Sequence, residues 1–260
     1  MIRDFTLEKY RLLCQAIVES AVQVTTIHEY LLKPDQAKRM LVLRHDVDRC
    51  PQNALLMAKL ESEFKLRSTY YFRFKPHVFK TDIIRQIADL GHDIGYHYET
   101  LSKARGNFTK ALKLFEHELS EFRKITQVHT ICMHGSPLSP FDNRDLWKKY
   151  DFHQFNLTGE AFLSIDYRKV QYFTDTGRTW QKTQFNIRDF SPRSQPANAI
   201  KSTDDIIMAI RQKTYPQICI SAHPERWTST LPNWVFSFGF DQLSNLLKAG
   251  FQLIKSAFSK

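Results

Sequence analysis

Five short apolar or aromatic runs in this 260-residue chain end in histidine or aspartate. The first run, residues 41–48, reads Leu-Val-Leu-Arg-His-Asp-Val-Asp, and the others end at or near His97, His134, Asp175 and His223. In a fold with parallel strands the carboxyl ends of the strands lie at one edge, so side chains at several strand ends converge on one cleft. One such motif could be a turn or a cap, but five predict a site.

Strand-like runs alternate with helical periodicity along the chain. The helices are clearest after Thr6 and Asn107, which are candidate N-caps, and a C-terminal helix over 241–249 is predicted with Asp241 as its cap and Gly250 just past its end. The predicted strands are 41–46, 67–74, 92–97, 129–133, 169–174, 217–222 and 251–254, and further helices are predicted at 52–65, 81–90, 142–150 and 203–213.

Alternation of strands and helices predicts a parallel sheet. Seven or eight such units fit into 260 residues, and no glycine-rich dinucleotide motif is present. We therefore predict an α/β fold, a distorted (β/α) barrel of seven to eight parallel strands resembling a TIM barrel, with residues 1–260 as a single catalytic domain. Residues 181–202, rich in proline and polar residues, predict a long surface loop that carries substrate contacts.

The net charge of +10 comes from lysines and arginines that are dispersed along the chain. No basic stripe or groove-reading module is visible, so we expect no nucleic-acid partner. An anionic or lipid-linked glycan fits the charge better, and a merely solvated basic surface is the alternative. The charged N-terminus does not resemble a signal peptide and no apolar run is long enough to span a bilayer, which predicts a cytoplasmic protein without a transmembrane segment.

The four cysteines are widely spaced and predict neither a disulfide framework nor a zinc knuckle. Cys50 follows Asp48 by two residues and could border the site. A loop thiol without a role is the alternative for this residue.

The order of these motifs resembles the polysaccharide deacetylases of carbohydrate esterase family 4. The resemblance spans about residues 40–227, and it is carried by the aspartates of residues 46–48, Gly91-His-Asp-Ile-Gly-Tyr-His97, the Asp175–Trp180 segment and the strand that ends at His223. The HDVD motif and Met133-His-Gly-Ser-Pro137 are most similar to a branch found at bacterial surface-polysaccharide loci. The resemblance implies a distorted barrel with one divalent metal, usually zinc, that hydrolyses an N-acetyl amide on a sugar.

By this resemblance Asp46 is the general base and Asp48 a metal ligand, although the two roles could be exchanged. The family has adjacent aspartates, whereas Val47 separates the two here. Residues i and i+2 of a strand point to the same face, so both carboxylates can still enter one site.

His97 matches the first metal histidine of the family, but the position of the second is occupied by Leu101. Hydrolytic zinc sites normally keep three protein ligands. His134 is therefore the candidate third ligand, and a core or loop-anchoring histidine is the alternative. Glu99 is a further candidate for a ligand or for a residue that supports one.

His223 matches the general acid of the family, and Asp175 is expected to orient it and raise its pKa. Arg178 and Trp180 are expected to form a substrate wall. An Asp-Thr-Gly stretch is also an ordinary turn, and Trp180 could instead be a core residue.

The resemblance thus implies a metal-dependent hydrolase that removes N-acetyl groups from a sugar or polysaccharide and that needs no organic cofactor. Two other classes stay open. One is a different metal-dependent amide hydrolase on a similar barrel, and the other is a catalytically degenerate glycan-binding protein.

Overall fold

The computed structural model describes residues 3–180, 186, 188–189 and 200–258, with the backbone alone described for 251–258. The strands are β1 (Gln23–Thr25), β2 (Met40–Val47), β3 (Thr69–Phe72), β4 (Asp93–Tyr98), β5 (Val128–Met133), β6 (Gly159–Glu160), β7 (Gln171–Thr174) and β8 (Gln217–Ala222). The helices are α1 (Leu7–Glu19), α2 (Ile27–Leu32), α3 (Pro51–Glu63), α4 (Thr81–Asp89), α5 (Thr100–Lys103), α6 (Phe108–Arg123), α7 (Leu146–Lys149), α8 (Thr203–Arg211) and α9 (Leu231–Phe258).

All described strands belong to one sheet, and every ladder in it is parallel. The strand order is β6-β5-β4-β3-β2-β8-β7, and β1 pairs with the first half of β2. Within the described residues no ladder joins β6 to β7, so the barrel is open on that side. The predicted distorted (β/α) barrel is confirmed.

β2 separates the inner and outer cores of the barrel. Leu41 and Leu43 pack into an outer cluster with residues of α1 and α8, whereas Val42 packs into an inner cluster with Tyr71 and Cys132. Because side chains alternate along a strand, Arg44 and Asp46 follow Val42 on the inner face. The inner core therefore ends in charged groups at the carboxyl end of the strand.

Local sequence signals explain several of the helix starts. The side chains of Thr6 and Asn107 accept hydrogen bonds from the backbone amides of Lys9 and Lys110, which confirms both predicted N-caps. The strand expected at 67–74 is shorter, and the helix expected over 142–150 is divided into a 3-10 turn and α7. The two-residue strand β6 and the short β1 carry too few alternating residues to be found by periodicity.

The predicted strand at 251–254 is wrong, because α9 continues through this segment. Asp241 is consequently not a cap, and Gly250 does not end the helix. An apolar run as short as Phe-Gln-Leu-Ile cannot distinguish a strand from a helix by its pattern, and a glycine inside a long helix costs only about 1 kcal/mol. Among the described residues, no helix combines the length and apolar character needed to cross a lipid bilayer.

Gly95 on β4 tests the packing of the inner core. A Cβ at this position would overlap the ring of Tyr71 and lie 3.1 Å from the carbonyl oxygen of Thr130. We predict that Gly95→Ala lowers the free energy of unfolding by about 1–3 kcal/mol, since overpacking displaces buried neighbours. Urea unfolding measures the change.

Gly239→Ala is the matched control, because a Cβ there meets no atom within 4 Å. This substitution lies in α9 and is expected to stabilise the protein by up to about 1 kcal/mol through helix propensity. Equal stability of the Gly95 variant and the parent protein would contradict the packing described for β4.

Candidate active site

The carboxyl ends of the strands open into a cavity. It is lined by Asp46, Asp48, His97, Met133, His134, Gly135, Pro137, Phe162, Thr176, Arg188, Asp189, His223, Arg226 and Lys248. A second, larger cavity adjoins it and shares the lining residues Asp48, His134, Pro137, Arg226 and Lys248. The first cavity collects the residues that the strand-end motifs single out.

Asp48 lies between two histidines. Its Oδ1 is 3.4 Å from Nε2 of His97 and 3.4 Å from Nε2 of His134. Nδ1 of His97 lies 3.0 Å from the carbonyl oxygen of Cys132, which makes Nδ1 the protonated nitrogen of the ring. Nε2 of His97 is then a free electron-pair donor, as a metal ligand requires.

His134 is held by a comparable set of contacts. Its Nδ1 lies 3.0 Å from the Ser136 hydroxyl and 3.3 Å from Oε2 of Glu99, while its carbonyl oxygen accepts a hydrogen bond from Asn143. Nδ1 therefore faces hydrogen-bonding partners and Nε2 faces Asp48. Contact with a carboxylate on the far nitrogen is typical of metal-binding histidines.

Two of the donor distances in this group, those from Asp48 to each histidine, match a tetrahedral divalent cation. Two ligands bound at about 2.0–2.1 Å from zinc in a tetrahedral arrangement are about 3.3 Å apart, close to the 3.4 Å from Asp48 Oδ1 to each histidine nitrogen. Oδ1 is also buried and accepts no hydrogen bond. The donor set of one carboxylate and two imidazoles is one that zinc uses in hydrolytic sites.

Electrostatics keep Asp48 ionised. Burial alone would raise its pKa, but the neighbouring His134 and Arg73 hold the pKa well below its usual value. Burial lowers the pKa of His134, whereas Asp48 and Glu99 raise it, and the net shift is upward. A cation bound between these groups would replace the proton that this arrangement favours.

Asp46, His97 and Cys132 form a second group whose donor atoms lie within 4.8 Å of one another. Burial raises the pKa of the Cys132 thiol well above its usual value, and the thiolate form is the one that binds metals. One oxygen of Asp46 is also engaged by an arginine. The buried thiol is therefore the weak donor of this group, although its three donor atoms lie close together.

Arg44 holds Asp46 from within the same strand. Its Nη2 lies 2.8 Å from Oδ2 of Asp46, and both side chains are buried. The guanidinium is fixed in turn by Ser221 and lies 4.4 Å from the centre of the Phe162 ring. Oδ1 of Asp46 is buried and has no hydrogen-bond partner. One carboxylate oxygen is thus anchored, and the other is available to accept a proton.

The position of Leu101 lies in the hydrophobic core, which explains why it does not carry a histidine. It lies in α5 with 2% of its surface exposed and packs in the same hydrophobic cluster as Ala104 and Phe115. His134 approaches Asp48 from β5 instead. His134, at the end of the neighbouring strand, therefore lies next to His97, and Leu101 packs in the core.

His223 and Asp175 are in direct contact. They follow β8 and β7, which lie on the other side of β2 from β4 and β5. Nδ1 of His223 lies 2.6 Å from Oδ1 of Asp175, which is fully buried and also accepts hydrogen bonds from Arg226 and Trp227. Burial and Arg226 lower the pKa of His223, but Asp175 and Asp189 raise it more, to about 9. At neutral pH this imidazole is therefore protonated and can donate a proton from Nε2.

Arg178 and Trp180 do not line either cavity, so the predicted substrate wall is not formed by these residues. Trp180 is buried, donates from Nε1 to Thr203 and stacks on Phe5. Arg178 follows Gly177 in a turn with positive φ and pairs with Asp241 of α9. Both are packing residues, because the Asp175–Arg178 segment forms the tight turn that was the alternative interpretation.

Several cavity residues have only a weak signal in the sequence. Asp189 accepts hydrogen bonds from Tyr172 and Thr174 and lies 4.0 Å from Nε2 of His223. It belongs to the predicted loop 181–202, much of which lies outside the described residues. Lys248 reaches the cavity from α9, and its only sequence signal was a polar position in an apolar helix. Cys50 is exposed at the start of α3 and does not line the cavity.

No protein-family model and no curated protein matches the chain. Among solved structures, a carbohydrate esterase family 4 esterase from Streptococcus mutans is 10% identical, with a TM-score of 0.45 and coverage of 85% of this chain and 87% of that chain. A family 4 carbohydrate esterase from Bacillus anthracis is 17% identical, with a TM-score of 0.41 and coverage of 81% and 92%.

A family 4 pseudoenzyme from Bacillus anthracis is 10% identical with a TM-score of 0.42, and the match covers 79% of this chain. The chain spans only 61% of the length of that pseudoenzyme. At these identities and TM-scores, the functional interpretation depends on the residues of the cavity.

Proposed function

We propose that this protein is a metal-dependent hydrolase that removes an N-acetyl group from a sugar or glycan. The observation that carries the proposal is the position of Asp48 between His97 and His134 in a cavity that also contains a buried carboxylate and a protonated histidine. Amide hydrolysis needs a group that takes a proton from water and a group that gives one to the departing nitrogen. Asp46 and His223 are the two groups of the cavity suited to these tasks.

Asp48, His97 and His134 would hold the cation, most simply zinc. When bound, a divalent cation supplies Lewis acidity towards the amide carbonyl and makes nearby water more acidic. Glu99 and the Cys132 carbonyl keep the two imidazoles in the orientation that directs Nε2 towards Asp48. This arrangement requires no organic cofactor.

Asp46 would act as the general base. Arg44 fixes Oδ2 and leaves Oδ1 without a partner, so the base has one defined direction in which to accept a proton. Arg44 is thus a positioning residue. An exchange of roles between Asp46 and Asp48 is disfavoured, because Oδ2 of Asp46 is already paired with Arg44.

His223 would act as the general acid. Asp175 holds its Nδ1, so Nε2 is the nitrogen that can protonate the departing amine of the sugar. The cationic side chains Arg188, Arg226 and Lys248 line the same cavity, and Lys248 forms no ion pair among the residues that the structure describes. An anionic group on the substrate would satisfy this charge.

The ligand set can be tested with His134→Ala. We expect the purified variant to retain less than about one tenth of the metal content of the parent protein, since hydrolytic zinc sites keep three protein ligands. Elemental analysis after dialysis measures the content. His117→Ala, on the exposed side of α6, is the matched control and should bind metal normally. Full metal content in the His134 variant would remove this residue from the ligand set.

Asp46→Asn tests the base. We expect acetate release from an N-acetylated oligosaccharide to fall by at least about 100-fold, because the amide cannot accept the proton. Metal content should stay close to that of the parent protein. Loss of the metal together with the activity would assign Asp46 as a ligand and Asp48 as the base.

The pH profile tests the acid. A general acid works in its protonated form, so kcat/KM should fall as the pH rises through the pKa of His223, about 9. Asp175→Asn removes the main group that raises this pKa, and the alkaline limb should therefore move to lower pH. Asp189→Asn is the comparison variant and should move the limb in the same direction by less. An alkaline limb that stays in place in both variants would separate His223 from the reaction.

A further inference from the structure

The two sides of α9 have the reverse of the polarity that a helix on a water-soluble protein normally has. Its inward side carries Ser237, Asp241 and Asn245, which are at most 7% exposed. These three residues contact the Glu225 carbonyl, Arg178 and the Gly177 carbonyl, respectively. A surface helix usually buries its apolar side and exposes its polar one.

The outward side of α9 is apolar. Seven large side chains there are between 45% and 77% exposed, namely Leu231, Val235, Phe236, Phe240, Leu243, Leu246 and Leu247. At about 100° of rotation per residue, all seven fall on one half of the helix circumference. A continuous exposed apolar surface of this kind marks a site of interaction with a partner or a membrane.

The charge near α9 distinguishes a protein partner, such as a second copy of the chain, from a membrane. The only acidic residue of α9 is Asp241, which is buried, so the exposed side carries no negative charge. Two arginines lie beside the helix: Arg3 is 4.8 Å from the Trp234 ring, and Arg49, which also pairs with Asp241 and Glu225, is 3.6 Å from the Phe240 ring. The chain as a whole has a net charge of +10. A second copy would bring like charges together, whereas an anionic bilayer would attract them.

The apolar side also reaches the larger cavity beside the active site. Phe240 and Leu247 line that cavity together with Leu138, which is 62% exposed, and Lys248. The rim of the cavity is therefore continuous with the outward side of α9. A surface held against this helix would also lie against the entrance of the cavity.

We propose that α9 binds the surface of an anionic lipid bilayer, with its axis in the plane of the interface and its seven outward apolar side chains at the level of the acyl-chain boundary. Helices of this length with one broad apolar side bind membranes in this way, and basic residues strengthen the attraction to anionic lipids. The inference is independent of the proposed hydrolase activity, since it depends only on α9 and the arginines beside it.

Vesicle flotation of the full chain tests the proposal. We expect the protein to float with vesicles that contain phosphatidylglycerol and to float much less with vesicles of phosphatidylcholine alone. The double variant Phe236→Glu/Leu243→Glu should reduce the vesicle-bound fraction at least about tenfold, because it replaces two large apolar side chains with charges of the same sign as the lipid. The neutral variant Phe236→Ser/Leu246→Ser should reduce it in the same direction.

Leu32→Glu/Met208→Glu is the matched control, since it makes the same change in charge at two exposed apolar residues outside α9. This variant should bind vesicles almost as well as the parent protein. Equal flotation with both vesicle types, no flotation, or equal loss in the control variant would overturn the proposal. So would light scattering that detects a dimer of the parent protein which the α9 variants convert to monomers, because a second copy would then cover the helix.

Discussion

Burial of charge on β2 is the constraint on which the site depends. Arg44, His45 and Asp46 are consecutive residues with at most 2% of their surface exposed, and an unpaired buried charge costs several kcal/mol. Arg44 and Asp46 satisfy each other on the inner face, while His45 on the outer face lies 2.6 Å from Glu61. His45 therefore stabilises β2 through its contact with Glu61 on the outer face. On the inner face Arg44 engages one oxygen of Asp46 and leaves the other without a partner.

A second set of paired charges surrounds the histidines. Arg73 contacts both Glu99 and the carbonyl of Asp48, and Glu99 contacts His134 in turn. Burial raises the pKa of Glu99, but His134 and Arg73 lower it more, so this carboxylate stays ionised. The two loops that follow β2 and β4 are thereby joined through one arginine. Such a network orients His134 without using the atom that faces Asp48.

Strand-end chemistry could be predicted from the sequence because it depends on two local rules, alternation along strands and the common edge of parallel strands. These rules bring Asp46, Asp48 and His97 into one cavity. They could not decide whether Trp180 is a core residue or part of a substrate wall, since a tryptophan suits both places. The burial of Trp180 depends on contacts with Phe5 and Thr203, which are distant in sequence. Asp189 was hidden for the same reason, as its role depends on hydrogen bonds from β7.

β2 holds one of the two carboxylates of the site more firmly than the other. Asp46 lies within the strand and its ladders, whereas Asp48 follows the last strand residue, Val47, which packs in a further cluster with Ala54 and Ile84. His134 and His223 likewise follow the ends of their strands, in segments whose backbone can change without altering a strand ladder. The position of Asp46 is thus rigid, and any evolutionary adjustment to substrates of another size has to act on the segments that carry Asp48 and the histidines.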